Sequence, residues 1–372
     1  MNLFRAFFLS LGPLCAALAY ATLVKPLALP RKWNACLAAA LLAFSLKFTW
    51  FATFGGSMFL PEMPEGAIHA LSVLYDFVLV SAVAGAAFSI ATAALRRCGG
   101  TVEPGRRRFI AGALSFGAAG VAAKGVHDGI RLPDVVDVTL FFPDLPAAFD
   151  GYRIAHLSDL HISAAARAER TAGVVRLANA LKPDAIAITG DFVDGAADVR
   201  AADVLPLAEL RAADGVFGCT GNHEYYSGYG EWRKVFRDCG IRMLENAAHV
   251  ARRGADALVI AGVNDPVSLD SDAAAACAGT PPFRILLAHR PTRLAAHAEL
   301  GVRMQLSGHT HGGAVFGLDR LVARANEGHV RGLYREHGLQ LYVNAGTGQW
   351  AGFPTRIGVP PEITHITLRR SM

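Results

Sequence analysis

Four long apolar stretches crowd the first third of this chain, at residues 2–24, 34–54, 70–95 and 109–123. The first three are each long enough to cross ~30 Å of hydrocarbon as a helix. The fourth is shorter but rich in Gly and Ala, which membrane helices tolerate. One such run is ordinarily a buried helix of a soluble protein. Four in succession, with almost no charge inside, point instead to a membrane domain. The chain has 372 residues, which suits two units of roughly 100–200 residues. Its hydrophobic share of 52% excludes a disordered chain. Six cysteines with no CxxC spacing exclude a disulfide scaffold or a zinc ribbon.

Charge is divided as unevenly as hydropathy. Residues 1–126 hold 11 Lys/Arg against 4 Asp/Glu, whereas residues 127–372 hold 25 against 27. The basic excess therefore flanks the apolar runs, and the larger part lacks the basicity of a nucleic-acid-binding surface. No nucleic-acid partner is expected, and the lipid bilayer is. No obligate protein partner is evident. Lys25, Arg31 and Lys32 follow the first run, and Glu62 and Glu65 follow the second. Arg96, Arg97, Arg106, Arg107 and Arg108 follow the third. Positive loops stay in the cytoplasm. In a bacterial inner (cytoplasmic) membrane this multi-pass arrangement sends everything after Lys124 to the periplasmic side. The run Arg106-Arg107-Arg108-Phe109 also resembles a twin-arginine export signal, and Ala17-Leu18-Ala19 fits a small-residue cleavage site. Lys47 and Asp76 lie inside the second and third runs at similar depth, so an ion pair between them is expected.

The expected organisation is a membrane domain over 1–126 with about four transmembrane helices, a connector and first strand over 127–150, and a larger domain over 151–372. In the larger part, short apolar runs alternate with helix-length segments. Strands are expected at 135–142, 153–157, 185–189, 215–219, 257–263, 284–288, 303–306, 339–343 and 363–368. Helices are expected at 168–181, 199–212 and near 231–239. This order implies a layered α/β sandwich.

Five of these strands end in polar clusters. They are Ser158-Asp159-Leu160-His161, Thr189-Gly190-Asp191, Thr220-Gly221-Asn222-His223-Glu224, Ala288-His289 and Ser307-Gly308-His309-Thr310-His311. Strand ends are where α/β folds gather ligands. The glycines are expected to supply the sharp turns that aim the next side chain at a common centre. Asp159, His161, Asp191, Asn222, His289, His309 and His311 give seven oxygen or nitrogen donors, enough for two metal ions. Imidazole, carboxylate and amide donors favour divalent Mn, Fe, Zn or Co. Asp191 stands alone at its strand end and is the expected bridging carboxylate. Two divalent ions and two carboxylates leave a charge of about +2, or about +1 with a bridging hydroxide, which attracts a phosphate anion.

The ordered series DxH, GD, GNHE, H and GHTH resembles the calcineurin-like metallophosphoesterase superfamily over roughly residues 152–368. The closing Asn344-Ala345-Gly346-Thr347-Gly348 and Pro354-Thr355-Arg356 resemble its membrane-anchored bacterial branch, related to UDP-2,3-diacylglucosamine hydrolases. The resemblance implies a four-layer α/β/β/α sandwich behind the membrane helices. It implies one metal on Asp159, His161, Asp191 and His311, and a second on Asp191, Asn222, His289 and His309. His223 would meet the phosphate or the leaving oxygen, and a bridging hydroxide would attack phosphorus. Ala314 and Arg290 depart from the residues common in relatives, and both positions bear on substrate. His223, Arg290, His329 and Arg356 are the expected substrate contacts, with His223 and Asp191 catalytic. The expected substrate is a phosphodiester, phosphomonoester or pyrophosphate of a lipid-linked, nucleotide or envelope compound. UDP-2,3-diacylglucosamine-type hydrolysis in lipid A biosynthesis is the alternative, and it requires a cytoplasmic site. A non-catalytic scaffold that kept the fold is the other, and the complete donor set counts against it.

Overall fold

The computed structural model describes residues 3–371, which fall into two compact units. One holds the helices up to Asp128 together with the short stretch Gly352–Thr355, and the other holds the rest.

In the helical unit, three helices are long and apolar enough to cross a membrane, at Arg5–Leu27, Glu65–Arg97 and Pro104–Ile130. The second apolar run is not one straight helix. It breaks at Leu46 into Arg31–Ser45 and Lys47–Phe54, bent by 59°. The break frees carbonyls near the end of the first half, and side chains recover two of them. The Trp50 indole donates to Ala43 O at 2.9 Å and the Ser45 hydroxyl donates to Leu42 O at 2.7 Å. Such substitutes are what an interrupted helix needs where water is scarce.

The expected Lys47–Asp76 ion pair is not formed. Both side chains are buried, but the Lys47 ammonium has no hydrogen-bond partner. It sits over aromatic rings instead, 4.6 Å from the Tyr75 centroid, 4.8 Å from Phe48 and 5.0 Å from Phe353. Ring quadrupoles supply the close contacts that a direct ion pair would have made. Asp76 accepts a hydrogen bond from the Thr355 hydroxyl at 2.5 Å.

The second unit contains two six-stranded sheets. The first comprises β1 (Asp134–Phe142), β2 (Arg153–Leu157), β3 (Ala185–Thr189), β4 (Gly215–Cys219), β5 (Ile241–Met243) and the late strand β12 (Glu362–Arg370), in the order β1-β12-β2-β3-β4-β5. The second comprises β6 (Ala247–Arg253), β7 (Asp256–Gly262), β8 (Arg284–Leu287), β9 (Val302–Ser307), β10 (Gly332–Glu336) and β11 (Leu339–Val343), in the order β10-β11-β9-β8-β7-β6. β2 to β5 run parallel, as do β7, β8, β9 and β11.

Strand periodicity sorts the core into layers. In β3, Ala185 and Ala187 face the space between the sheets, where they join Ile154, Phe217, Leu258, Ile285, Leu287 and Leu306. Ile186 and Ile188 face the other way, among residues of the helices Ala168–Ala180, Ala197–Val204 and Tyr229–Asp238. In β8, Leu286 faces a third cluster with Ala276 and Leu294, from the helices Ala273–Cys277 and Leu294–Glu299. The layers are thus helix, sheet, sheet and helix.

One expected helix differs. The helix over 199–212 starts earlier and ends at Val204, because Pro206 has no N–H and turns the chain into the tighter helix Leu205–Glu209. The strand expected at 135–142 forms as β1 and is the parallel edge strand beside β12. Three further strands, β5, β6 and β10, have no counterpart among the expected elements. β5 is three residues long, and β6 and β10 lie at sheet edges with mostly half-buried side chains, so neither shows an apolar run.

Candidate metal centre

The parallel strands of both sheets deliver their C-terminal ends to one place. β2, β3 and β4 bring Asp159, His161, Asp191, Asn222 and His223 from the first sheet. β8 and β9 bring His289, His309 and His311 from the second.

Two groups of donor atoms result: Asp159 with His161 and His311, and Asp191 with His289 and His309. In the first, His161 Nε2 and His311 Nε2 are 3.1 Å apart, and His311 Nε2 is 3.5 Å from Asp159 Oδ1. In the second, His289 Nε2 lies 3.2 Å from both His309 Nδ1 and Asp191 Oδ2. Asp191 Oδ2 also faces His161 Nε2 at 3.8 Å, so one carboxylate oxygen addresses both groups. Two nitrogen ligands ~2.1 Å from one ion stand ~3.0–3.4 Å apart at right-angled to tetrahedral geometry. The two nitrogen–nitrogen spacings, 3.1 Å and 3.2 Å, fall in that range.

Hydrogen bonds fix which ring nitrogens point inward. His161 Nδ1 donates to Asp194 Oδ2 at 3.2 Å and His289 Nδ1 donates to Thr189 O at 2.7 Å. Each leaves an Nε2 lone pair facing the cluster, the usual outer support of a metal-binding histidine. Asn222 Oδ1 is buried with no hydrogen-bond partner, an acceptor that a cation would satisfy. Burial opposes a charged His289, yet Asp191 and Asp159 push its pKa up to about 10. Burial likewise opposes ionisation of Asp191, yet His289 and His223 hold it well below the usual carboxylate range. The imidazole, carboxylate and amide donors converging here fit divalent metal ions.

Five of the donor residues have left-handed backbone: Asp159, His161, Asp191, His309 and His311, with φ between 46° and 70°. For residues with a Cβ this costs of order 1–3 kcal/mol each, a strain typical of functional sites. The glycines do a different job from the one expected. Gly190 does have φ of 81°, but Gly221 and Gly308 do not have positive φ. They are glycine because of crowding. A Cβ on Gly221 would stand 2.2 Å from Asp191 Oδ1, and one on Gly308 would stand 1.8 Å from Ser158 Oγ and 2.2 Å from Asp159 Oδ2. The turns fall on the ligands themselves, and the glycines let neighbouring strand ends approach.

His223 stands beside the cluster, its ring 4.7 Å from that of His161. Its Nδ1 donates to Asp194 Oδ1 at 2.5 Å. Its side chain is 17% exposed, whereas those of His161 and His289 are 0% exposed. Burial lowers its pKa, but Asp191 and Asp194 raise it further, to about 9. It is a partly exposed imidazole beside the cluster, and Asp194 fixes its ring.

The other expected substrate contacts separate. Arg290 is one third exposed and held by Asp265 through Nε at 2.8 Å and Nη2 at 3.1 Å, which leaves Nη1 unpaired. Arg356 is fully buried and donates to the carbonyls of Ala345, Gly346 and Gly348 at 2.7–3.1 Å. Its two Nη groups hold the loop after β11, and Nη2 also lies 3.4 Å from His311 Nδ1. Full burial sets it behind the donors, unlike the exposed phosphate contact expected of it. His329 is buried too, with Nδ1 donating to Pro291 O at 2.8 Å and Nε2 facing Glu336 at 3.3 Å. It lines a separate cavity of about 600 Å³ with Arg293, Glu327 and Glu336, so its expected substrate contact is also corrected.

Two residues escaped the sequence reading. Asp194 joins His161 to His223 through its two oxygens, and its signal was the second acid of Asp191-Phe192-Val193-Asp194. Burial raises its pKa, but the two imidazoles outweigh that and hold it far below the usual range. Glu224, fully buried, accepts from the backbone N–H of Asp191 at 2.9 Å, Phe192 at 2.7 Å and Gly221 at 2.6 Å. Its signal was an acid three residues after the start of a helix, the spacing of a capping box.

Comparison with known proteins agrees with this geometry. The family model for calcineurin-like phosphoesterase matches residues 152–313, a span that contains every donor named above. A zebrafish (Danio rerio) transmembrane protein with metallophosphoesterase domain is 33% identical over 268 residues, covering 68% of this chain and 61% of that protein. An uncharacterized metallophosphoesterase of Aquifex aeolicus is 34% identical over 228 residues, covering 58% of this chain and 85% of that protein. The metallophosphoesterase YkuE of Bacillus subtilis is 29% identical over 280 residues, covering 71% and 97%. The chain spans only 61% of the zebrafish protein's length and 48% of that of a Caenorhabditis elegans relative. With the fold, the donor set and these relatives together, the chain belongs to the calcineurin-like phosphoesterase family.

Proposed function

We propose that the protein is a membrane-anchored hydrolase of phosphoesters that uses two divalent ions of the Mn, Fe, Zn or Co type. The observation that carries this reading is Asp191 Oδ2, which faces a donor of each group at 3.2 Å and 3.8 Å. Bound in pairs, such ions lower the pKa of water to near neutral and clamp phosphoryl oxygens. The first ion would rest on Asp159, His161, Asp191 and His311, and the second on Asp191, Asn222, His289 and His309. His223, oriented by Asp194, neutralises the leaving oxygen or gives it a proton. Arg290, pre-set by Asp265, offers its free Nη1 to a phosphate oxygen. The loop charges support a multi-pass inner-membrane protein whose catalytic domain faces the periplasm, and so a lipid-linked, nucleotide or envelope phosphoester on that side.

Hydrolysis of bis-p-nitrophenyl phosphate by the purified full chain tests this, metal-free and with added Mn²⁺. Turnover is expected only with metal. His223→Ala is expected to lower kcat roughly 10²–10⁴-fold while both metals stay bound. A chain that binds no metal, or that binds two and turns over no phosphoester, would overturn the reading and favour a scaffold. Arg290→Ala is expected to raise KM roughly tenfold with metal content unchanged, since one charge-assisted hydrogen bond is worth about 1.5–3 kcal/mol. An unchanged KM would remove Arg290 from the substrate site.

A further inference from the structure

The stretch after the last metal-binding motif exposes apolar side chains on a fixed backbone. Phe316 is 80% exposed, Leu318 46% and Leu321 61%, three large apolar residues within six positions. The loop beneath them is not loose. Ala314 N donates to His311 O, Phe316 N to Ile357 O, Ile357 N to Ala314 O and Leu318 N to Val315 O, all at 2.9–3.0 Å. Leu321 stands on the short helix Asp319–Ala325. Arg320 and Arg324, also exposed, lie one helical turn apart on it, and Arg331 is exposed beyond it. From Phe316 to Arg331 three exposed arginines stand against two acids, the half-exposed Asp319 and the exposed Glu327. A fold that orders apolar tips in water gains nothing from them internally, so their return comes from something outside the chain.

We infer that this stretch docks on the surface of an anionic bilayer. Phe316, Leu318 and Leu321 enter the boundary between headgroups and acyl chains, while Arg320 and Arg324 meet lipid phosphates. Apolar tips flanked by arginines are the composition of interfacial segments. The occupant is a bilayer because this same chain carries three helices long and apolar enough to cross one, which confines the loop near a lipid surface. The charges are complementary to anionic headgroups.

The test uses the full chain in phosphatidylglycerol-containing vesicles. Cys15, Cys36 and Cys98 are changed to Ser, and the buried Cys219, Cys239 and Cys277 are kept. A nitroxide is placed by Leu318→Cys or, for reference, by Leu205→Cys, an equally apolar position 59% exposed elsewhere on the same unit. Collision rates with oxygen and with a water-soluble nickel chelate are read by electron paramagnetic resonance. The oxygen-to-nickel ratio at 318 is expected to exceed that at 205 at least threefold, and to fall when Arg320→Glu and Arg324→Glu are added. Equal ratios would overturn docking. A label shielded from both reagents would also overturn it, in favour of a second copy or another protein. Neither result depends on turnover, so the hydrolase reading stands or falls separately.

Discussion

Asp191→Asn is expected to abolish metal-dependent turnover and to leave at most one metal per chain. The carboxylate brings one charge and one inward oxygen to both donor groups, and an amide supplies neither to two cations at once. The substitution is nearly isosteric, so the loop keeps the hydrogen bond from His223 N, which reaches Asp191 Oδ1 at 2.9 Å. Folding is therefore preserved while the centre loses its shared ligand. Metal content by elemental analysis, with turnover measured on the same sample, checks this. Two tightly held metals with activity within tenfold of the unsubstituted chain would refute a bridging role.

The largest effect on stability is expected from Glu224→Ala. Three buried backbone donors, at Asp191, Phe192 and Gly221, lose their only acceptor at a stroke. Each unsatisfied donor costs about 1–3 kcal/mol. Part of this is offset, since burial and Asp191 already push the Glu224 pKa up to about 7, a sign that the carboxylate is itself strained. A net loss of roughly 3–5 kcal/mol is the outcome, a large fraction of a domain's total. Glu224→Gln keeps one acceptor oxygen and falls between. Hydrogen exchange at the Asp191, Phe192 and Gly221 amides gives the direct measure, and unchanged protection in Glu224→Ala would show that Glu224 does not hold the loops. Because these loops carry Asp191 and Asn222, metal affinity is expected to fall with protection.

Much of the architecture is legible in the order of residues along the chain. Short apolar runs mark β2, β3, β4, β8 and β9, because a strand buried on both faces leaves few other choices of side chain. The seven donors are legible for a related reason, since Asp, His and Asn at the ends of such runs have no part in packing. Edge strands β6 and β10 leave no mark, because a half-exposed strand imposes little on its residues. The break at Leu46 leaves none either, since no Pro or Gly stands there to mark it.

Which residues bear the chemistry, and on which strand ends they stand, can be read along the chain alone. Periodicity and residue type are local properties, and they travel with the chain. What each polar group is for depends on the packing of distant segments. Packing spends Arg356 on three carbonyls and draws His329 to Pro291 and Glu336. It gives Asp194 two imidazoles to orient and Glu224 three amides to hold. It also moves the sharp turns from the glycines onto Asp159, His161, Asp191, His309 and His311. A hydrogen-bonding group has many possible partners of similar strength, and the choice among them is made by which strand ends the two sheets bring together.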